Sequence, residues 1–130
     1  MTVLLSYTPT PQGDAAVPVA IRQAELRQVP LVVLNVVRGG ALVESTATPS
    51  EDLEKIVARA REAGVEATAA QVQEDDVVTG VLQSVDAHDA ELLVLGLRRR
   101  SPVGKLLMGS IAQRLLLEAP CEVLTVKPSA

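Results

Sequence analysis

Short apolar segments recur along the chain, and stretches with helical spacing separate them. Residues 3–5 and Leu31–Val37 do not alternate with polar residues, as expected of strands buried on both faces of a sheet. Residues 92–95 are equally apolar, and Glu122–Val126 predicts a final strand. Residues 65–69 alternate instead, which favours a strand at a sheet edge. The pattern therefore predicts five strands.

The first helix is predicted from about residue 14 to residue 28. Its apolar residues recur at intervals of three and four, and they are Ala16, Val19, Ala20 and Ala24. Pro18 falls early in this segment, so we expect it in or near the first turn, where its missing N–H costs little.

The second helix carries clear end signals. Thr48 is the predicted N-cap, Pro49 the first helical residue, and Glu51 the acid that reaches back in a capping box. The apolar stripe is Leu53, Ile56, Val57 and Ala60. Gly64 follows where a left-handed terminator belongs. The preceding residues 38–47 contain two glycines and several hydroxyl side chains, and they predict a loop.

The third helix is predicted to be capped by Asp75 or Asp76. Its stripe is Val77, Val78, Val81, Leu82 and Val85, and Gly80 inside it costs about 1 kcal/mol relative to alanine. A fourth helix is predicted from Ser110 to Glu118, closed by Pro120. Helices that separate apolar strands imply right-handed crossovers, so residues 1–130 predict one doubly wound α/β domain with a five-stranded parallel sheet and helices on both faces.

Composition narrows the possible functions. Tyr7 is the single aromatic residue, so the core must be aliphatic, and proteins that stack nucleic-acid bases on aromatic rings are nearly excluded. The net charge of −4 argues against general binding to nucleic acid or anionic membranes. The N-terminal apolar run is too short for a signal peptide or membrane span, and Cys121 is a lone cysteine, so we expect a cytoplasmic protein.

The segment that follows the fourth strand contains the residues best suited to a ligand site. In open parallel sheets, ligands bind beyond the carboxyl ends of the strands. Gly96 would let the chain turn there, and Gly109 would let its backbone approach a ligand closely. Ser110 opens a helix whose N–H groups and dipole favour an anion, and Arg98, Arg99, Arg100 and Lys105 lie in the same stretch. Read singly, Gly96 is only a turn glycine and Ser110 only an N-cap; together they favour a phosphate site.

This stretch resembles a motif of the universal stress protein family, in which a glycine, two residues, a second glycine and nine residues precede Gly-Ser or Gly-Thr. Gly96, Gly109 and Ser110 match, and the resemblance extends over the whole chain to the ending 119–126. It implies an adenine nucleotide α hydrolase-like fold with strand order 3-2-1-4-5 and frequent homodimers. In one branch of the family it also implies bound ATP, with Mg only through the nucleotide.

On this resemblance the nucleotide-binding residues are Tyr7, Thr8, Pro9, Val36, Gly96, Leu97, Arg98, Arg99, Gly109, Ser110 and Ile111. Two positions depart from the binding branch. Thr8 stands where that branch has an Asp that contacts the nucleoside, and threonine supplies no charged acceptor. Arg99 stands where the second glycine belongs. Both departures predict weakened binding, although the Arg99 guanidinium could itself bind phosphate.

Several other kinds of site are not supported. Gly104 and Lys105 lack the flanking glycine and Ser/Thr of a P-loop, and Met108 stands where a hydrolase nucleophile elbow needs glycine. His88 is the single histidine, so no histidine-based metal cluster or catalytic triad is indicated. Cys121 is interpreted as a small core residue. No set of residues looks catalytic.

Two binding functions lead at this point, and a third class, a slow ATPase, has only family analogy behind it. The first is a stress-response or regulatory protein that binds an adenine nucleotide, and the second is an interaction module of the same fold that acts through a protein partner. For either, the last strand would form the dimer interface through Val123, Leu124, Thr125 and Val126. An apolar edge strand is an aggregation hazard unless it is paired or covered.

Overall fold

Five strands alternate with four helices in the computed structural model, which describes residues 1–38, 49–98 and 108–128. The strands are β1 (Thr2–Ser6), β2 (Leu31–Val37), β3 (Ala67–Gln73), β4 (Ala90–Gly96) and β5 (Glu122–Val126). The helices are α1 (Pro11–Arg27), α2 (Ser50–Glu62), α3 (Val77–Ala87) and α4 (Ser110–Glu118).

All strand pairs are parallel, and the sheet order is β3-β2-β1-β4-β5. The central strand β1 pairs through Val3 with Leu31 of β2 and through Leu4 with Leu93 of β4. This confirms the doubly wound fold and the strand order 3-2-1-4-5. The order reverses between β1 and β4, which is where this architecture opens a crevice for a ligand.

Successive residues of β1 face opposite layers, so the sheet is buried on both sides. Val3 and Leu5 pack under α1 and α2, where Leu53 is buried. Leu4 packs on the other face with Val78 of α3 and Leu115 of α4. Leucine, valine, isoleucine and alanine fill both layers, as the near absence of aromatic residues predicts.

Helix α1 begins three residues before the predicted start. The Thr10 hydroxyl accepts the Gly13 N–H at 3.0 Å, and Pro11 occupies the first helical position. The prediction that Pro18 lies in or near the first turn is therefore wrong. Pro18 is in the helix interior with its ring exposed, and because it has no N–H the Asp14 carbonyl lacks its helical donor.

The ends of α2 and the start of β3 also differ from the prediction. Pro49 is the N-cap instead of the first helical residue, and Thr48 lies outside the described residues. Gly64 ends the helix with φ +85°, as predicted, and the N–H of Val65 donates to the Ala60 carbonyl at 3.0 Å. Because this bond keeps Val65 in the helix terminator, β3 runs from Ala67 to Gln73 and not over 65–69.

Helices α3 and α4 agree closely with their predicted positions. Asp76 is the N-cap residue of α3, but its carboxylate accepts the Thr79 hydroxyl at 2.7 Å. Gly80 is buried against β2, where an added Cβ would meet the Val36 side chain at 2.8 Å. Helix α4 runs from Ser110 to Glu118, and its N-cap is Gly109.

Candidate functional site

A pocket of about 270 Å³ opens at the carboxyl ends of β1 and β4, between the N-termini of α1 and α4. Of the residues that the sequence assigns to a nucleotide site, those lining this pocket are Tyr7, Thr8, Val36, Gly96, Leu97, Arg98, Gly109, Ser110 and Ile111. Pro9 is not among the lining residues, and Arg99 lies outside the described part of the chain. The predicted positions therefore come together although they derive from four separate segments.

The pocket also contains residues that the sequence analysis did not select. They are Ser6, Gln12, Val77, Leu95, Ala112 and Leu115. Ser6 and Leu95 are strand ends, so the rule that ligands bind beyond the carboxyl ends of strands could have identified them. Gln12 carries no such signal, because it belongs to a helix whose start the apolar spacing places later.

The turn between β1 and α1 is fixed by its own hydrogen bonds. The Thr10 N–H donates to the Thr8 carbonyl at 2.8 Å, and the Thr8 and Thr10 hydroxyls share a hydrogen bond of 3.2 Å. Gly13 is needed here, since a Cβ on it would collide with the Thr8 carbonyl oxygen. Thr8 is therefore held at the pocket wall by the helix start.

Gly96 is required by packing between β4 and α1. A Cβ at this position would collide with the backbone carbonyl of Gln12 and lie 2.9 Å from the Gln12 Cβ. The sequence predicted a glycine that lets the chain turn. The structure instead assigns it to the close approach of the α1 N-terminus to the end of β4.

Gly109 has the opposite environment. Its φ of −63° and ψ of 156° suit any residue, and a Cβ there would have no heavy atom of the described residues within 4 Å. Neither backbone conformation nor packing in this part of the chain demands glycine. The open space beside Gly109 adjoins the first turn of α4, where N–H groups without helical acceptors are directed outward.

The pocket has a positive electrostatic bias. The N-termini of α1 and α4 both open on it, and each carries a partial positive charge. Arg98 is exposed and forms no ion pair with the described residues. By contrast Arg114, further along α4, is bound to Asp76 at 3.3 Å and to Glu118 at 3.2 Å. Among the described residues that line the pocket, Arg98 is thus the cationic side chain that can bind an anion.

Tyr7 contributes to the pocket wall, yet its hydroxyl is engaged elsewhere. The ring packs in the layer under α1, and the hydroxyl donates to Asp14 at 2.7 Å. Burial raises the pKa of Tyr7 well above its usual value, and the hydrogen bond and negative charge of Asp14 raise it further. The Tyr7 carbonyl is also occupied, because it accepts the Asn35 amide at 3.0 Å.

The other residues considered in the sequence analysis, Cys121, His88 and Asp76, take part in packing or hydrogen bonds within the fold. Burial raises the pKa of the Cys121 thiol, which packs partly buried against the α3–α4 layer. His88 ends α3, and its carbonyl accepts the Thr2 hydroxyl at 2.9 Å. The hydroxyl of Thr79 is the main cause that lowers the pKa of Asp76, and Arg114 lowers it further.

Two larger depressions, of about 570 and 360 Å³, lie at the opposite end of the sheet around Gly64 and Glu66. They adjoin the amino ends of β2 and β3, away from the crevice of this architecture. Within the described ranges, no cluster of three or more His, Cys, Asp or Glu side chains could hold a metal ion. No described helix is long and apolar enough to cross a membrane.

Comparison with known proteins decides the family. The sequence profile of the universal stress protein family matches residues 1–127. The chain belongs to this family. A universal stress protein of Mycolicibacterium smegmatis (strain ATCC 700084 / mc(2)155) is 42% identical over 126 residues, which cover 97% of both chains.

Solved universal stress proteins share the fold. One from Archaeoglobus fulgidus superposes with a TM-score of 0.81 at 28% identity and covers 97% of both chains. A complex of an A. fulgidus universal stress protein with dAMP has a TM-score of 0.75 at 22% identity, covering 97% of this chain and 96% of that one. A universal stress protein in complex with cAMP has a TM-score of 0.76 at 21% identity, covering 99% and 98%.

Proposed function

We propose that this universal stress protein is a stress-response regulator that binds an adenine nucleotide and acts by binding instead of turnover. The observation that carries the proposal is the pocket between β1 and β4, where Gly109 and the N-terminus of α4 face open space. Its volume of about 270 Å³ is close to the lower limit, about 300 Å³, for small-molecule pockets. The dAMP and cAMP complexes of other universal stress proteins support an adenine nucleotide as the ligand class.

The phosphates would bind at the start of α4. The absent side chain of Gly109 lets phosphate oxygens approach the N–H groups of Ser110 and Ile111, and the Ser110 hydroxyl is exposed there. Arg98 supplies a charged donor from the end of β4. A magnesium ion would enter only with the nucleotide, through its phosphates.

The nucleoside would lie toward the β1–α1 turn and would be recognised weakly. Val36 and Leu97 provide apolar wall, while Thr8 offers a hydroxyl and no charge. A hydrogen bond to a charged group contributes about 1.5–3 kcal/mol, so its absence lowers affinity about ten- to a hundredfold. We expect ATP and ADP to bind better than adenosine, with little discrimination between ATP and GTP.

Titration calorimetry with ATP, ADP, GTP and adenosine tests this proposal. Gly109→Val should abolish nucleotide binding by filling the space at the α4 N-terminus, and added salt should weaken binding by the unmodified protein. Thr68→Val, on the exposed face of β3, is the matched control and should bind as before. Thr8→Asp should improve selectivity for adenine. No binding of any nucleotide at millimolar concentration would contradict the proposal.

The interaction module without nucleotide is the second candidate. The exposed Arg98 without an ion pair among the described residues favours it, because a basic loop could meet an acidic protein surface. Release of nucleotide from the purified, denatured protein would separate the two functions. Released adenine nucleotide would support the first function; if none is released, the titration at millimolar nucleotide decides, because a weakly bound ligand is lost during purification.

We also propose a homodimer formed through β5. This strand is at the edge of the sheet, and Val123, Leu124, Thr125 and Val126 are all half-buried in the single chain. Val123 faces the α3–α4 layer, while Leu124 and Val126 face the α1–α2 layer. Leu117, near the end of the helix that leads into β5, is 82% exposed and would add apolar surface nearby.

A further inference from the structure

Gln12 occupies a fixed position in the wall of the pocket. It is the second residue of α1, directly after Pro11 and within the turn capped by Thr10. Its backbone carbonyl and Cβ lie so close to Gly96 that only glycine fits there. Because the helix start and the end of β4 both hold it, the Gln12 side chain leaves the backbone at a defined point beside the pocket.

The carboxamide of Gln12 forms no hydrogen bond with the part of the chain that the structure describes. Among the nearby hydroxyls, that of Thr8 shares a hydrogen bond with Thr10 and that of Tyr7 donates to Asp14. Gln12 as a whole is half-buried and lines the pocket. It therefore offers both a donor and an acceptor for a ligand.

The two walls of the pocket differ in what they offer. Helix α4 packs on one face of the sheet and presents the N–H groups of Ser110 and Ile111, which suit phosphate oxygens. Helix α1 packs on the other face and offers fewer free N–H groups, because Pro11 has none and the Gly13 N–H donates to the Thr10 hydroxyl. Its Gln12 side chain is therefore the group it adds to the pocket. Phosphate oxygens only accept hydrogen bonds, whereas bases and ribose hydroxyls offer both donors and acceptors. A carboxamide can satisfy both by rotating.

We propose that Gln12 binds the nucleoside part of the nucleotide and holds it in the pocket. The inference rests on the proposed nucleotide-binding function and adds a residue to it. A carboxamide can present either its oxygen or its NH₂ group to a ligand. Gln12 would therefore bind a nucleoside without selecting strongly between adenine and guanine. Gln12 would thereby replace part of the nucleoside contact that a charged side chain at position 8 would make and that Thr8 does not.

Calorimetric titration of ATP and of inorganic tripolyphosphate, at the same low salt, separates this contact from phosphate binding. Gln12→Ala should weaken ATP binding about three- to tenfold, the value of one neutral hydrogen bond, and leave tripolyphosphate binding unchanged. Gln12→Met keeps the side-chain length without the amide and should have the same effect if the alanine variant does not fold. Gln83→Ala, on the exposed face of α3, should bind both ligands as the unmodified protein does.

The results separate this inference from the proposed function. Equal weakening of ATP and tripolyphosphate, or no change in either, would overturn the role of Gln12 and leave the nucleotide site standing. If the unmodified protein binds neither ligand, the nucleotide function itself fails. A titration with dATP then locates the contact. If the unmodified protein prefers ATP to dATP and Gln12→Ala does not, Gln12 contacts the ribose, and an unchanged ratio of the two affinities points to the base.

Discussion

At the scale of single residues, Tyr7 is the clearest case of a side chain whose environment sets its chemistry. It is the chain's single aromatic residue and is 8% exposed. Its hydroxyl donates to Asp14, and Asp52 of α2 adds negative charge nearby. Burial and these carboxylates favour the neutral phenol, so the folded protein holds the Tyr7 proton more tightly than the unfolded chain does.

Tyr7→Phe should reduce the free energy of unfolding near pH 7 by about 1–2 kcal/mol, because the bond to Asp14 is lost. The advantage of the unmodified protein should shrink as the pH rises above about 10, the ordinary pKa of tyrosine, because there the unfolded chain ionises while the folded chain does not. Urea unfolding of both proteins at several pH values measures this. A constant difference up to pH 11 would contradict the raised pKa of Tyr7.

The two glycines of the pocket should differ in their effect on stability. Gly96→Ala places a methyl group against the Gln12 carbonyl, and we expect it to lower the free energy of unfolding by about 1–3 kcal/mol. Gly109→Ala meets none of the described residues within 4 Å and serves as the matched variant, with an expected change below about 0.5 kcal/mol. Thermal unfolding of both variants without nucleotide provides the comparison, and equal destabilisation would refute it.

The sequence identified both glycines as important but could not distinguish their roles. Local spacing shows that Gly96 ends a strand and Gly109 precedes a helix, and nothing more. The contact of Gly96 with Gln12 joins residues far apart in the chain, so it requires the folded sheet. Gln12 was missed for the same reason, since a glutamine at a helix start has no distinctive pattern.

At the scale of elements, α1 shows how a predicted helix boundary can differ from the observed one. Thr10-Pro11 is a cap followed by a proline at the first helical position, which is a typical helix start. The prediction began the helix at about residue 14, three residues late, and therefore placed Pro18 in or near the first turn. Proline is tolerated in the interior here because its ring points to solvent while Ala16 and Ala20 hold the buried face against the sheet.

Pro18→Ala should stabilise the protein by about 1–2 kcal/mol. The substitution restores an N–H donor for the Asp14 carbonyl and introduces a better helix-forming residue. The unfolded chain gains conformational entropy when proline is removed, which offsets part of this stabilisation. Pro11→Ala is the control, because a proline at the first helical position replaces no helical hydrogen bond. Denaturant unfolding measures both, and destabilisation by Pro18→Ala would show that the ring stabilises α1.

At the scale of the whole molecule, the fold was predictable because β1, β2 and β4 are apolar on both faces along most of their length. Val3 to Leu5 and Leu31 to Leu34 could only be central strands, and helices between them fix a parallel sheet. The strand order followed from the family resemblance, because apolar patterning does not rank neighbours. The pocket could be anticipated as a place, at the carboxyl ends of strands, but its walls depend on how α1 and α4 pack on opposite faces.

The proposed dimer is tested by charge at the β5 edge. Val123→Asp with Thr125→Asp should convert the protein to monomers at tens of micromolar, since two carboxylates would be buried at the interface. Thr68→Asp on the opposite edge strand, β3, is the control and should leave the molecular mass in light scattering unchanged. A monomeric unmodified protein, or a dimer indifferent to the paired substitution, would contradict the β5 interface.

The contrast between Gly96 and Gly109 has an evolutionary consequence. Folding alone keeps a glycine at position 96, so a descendant that no longer used the pocket would still retain it. Folding exerts no such demand at position 109 within the described structure, and drift could replace that glycine as soon as ligand binding ceased to be selected. Among related chains, the presence of glycine at position 109 would then indicate that the site still binds a ligand. Glycine at position 96 would indicate only that the chains share the same fold by descent.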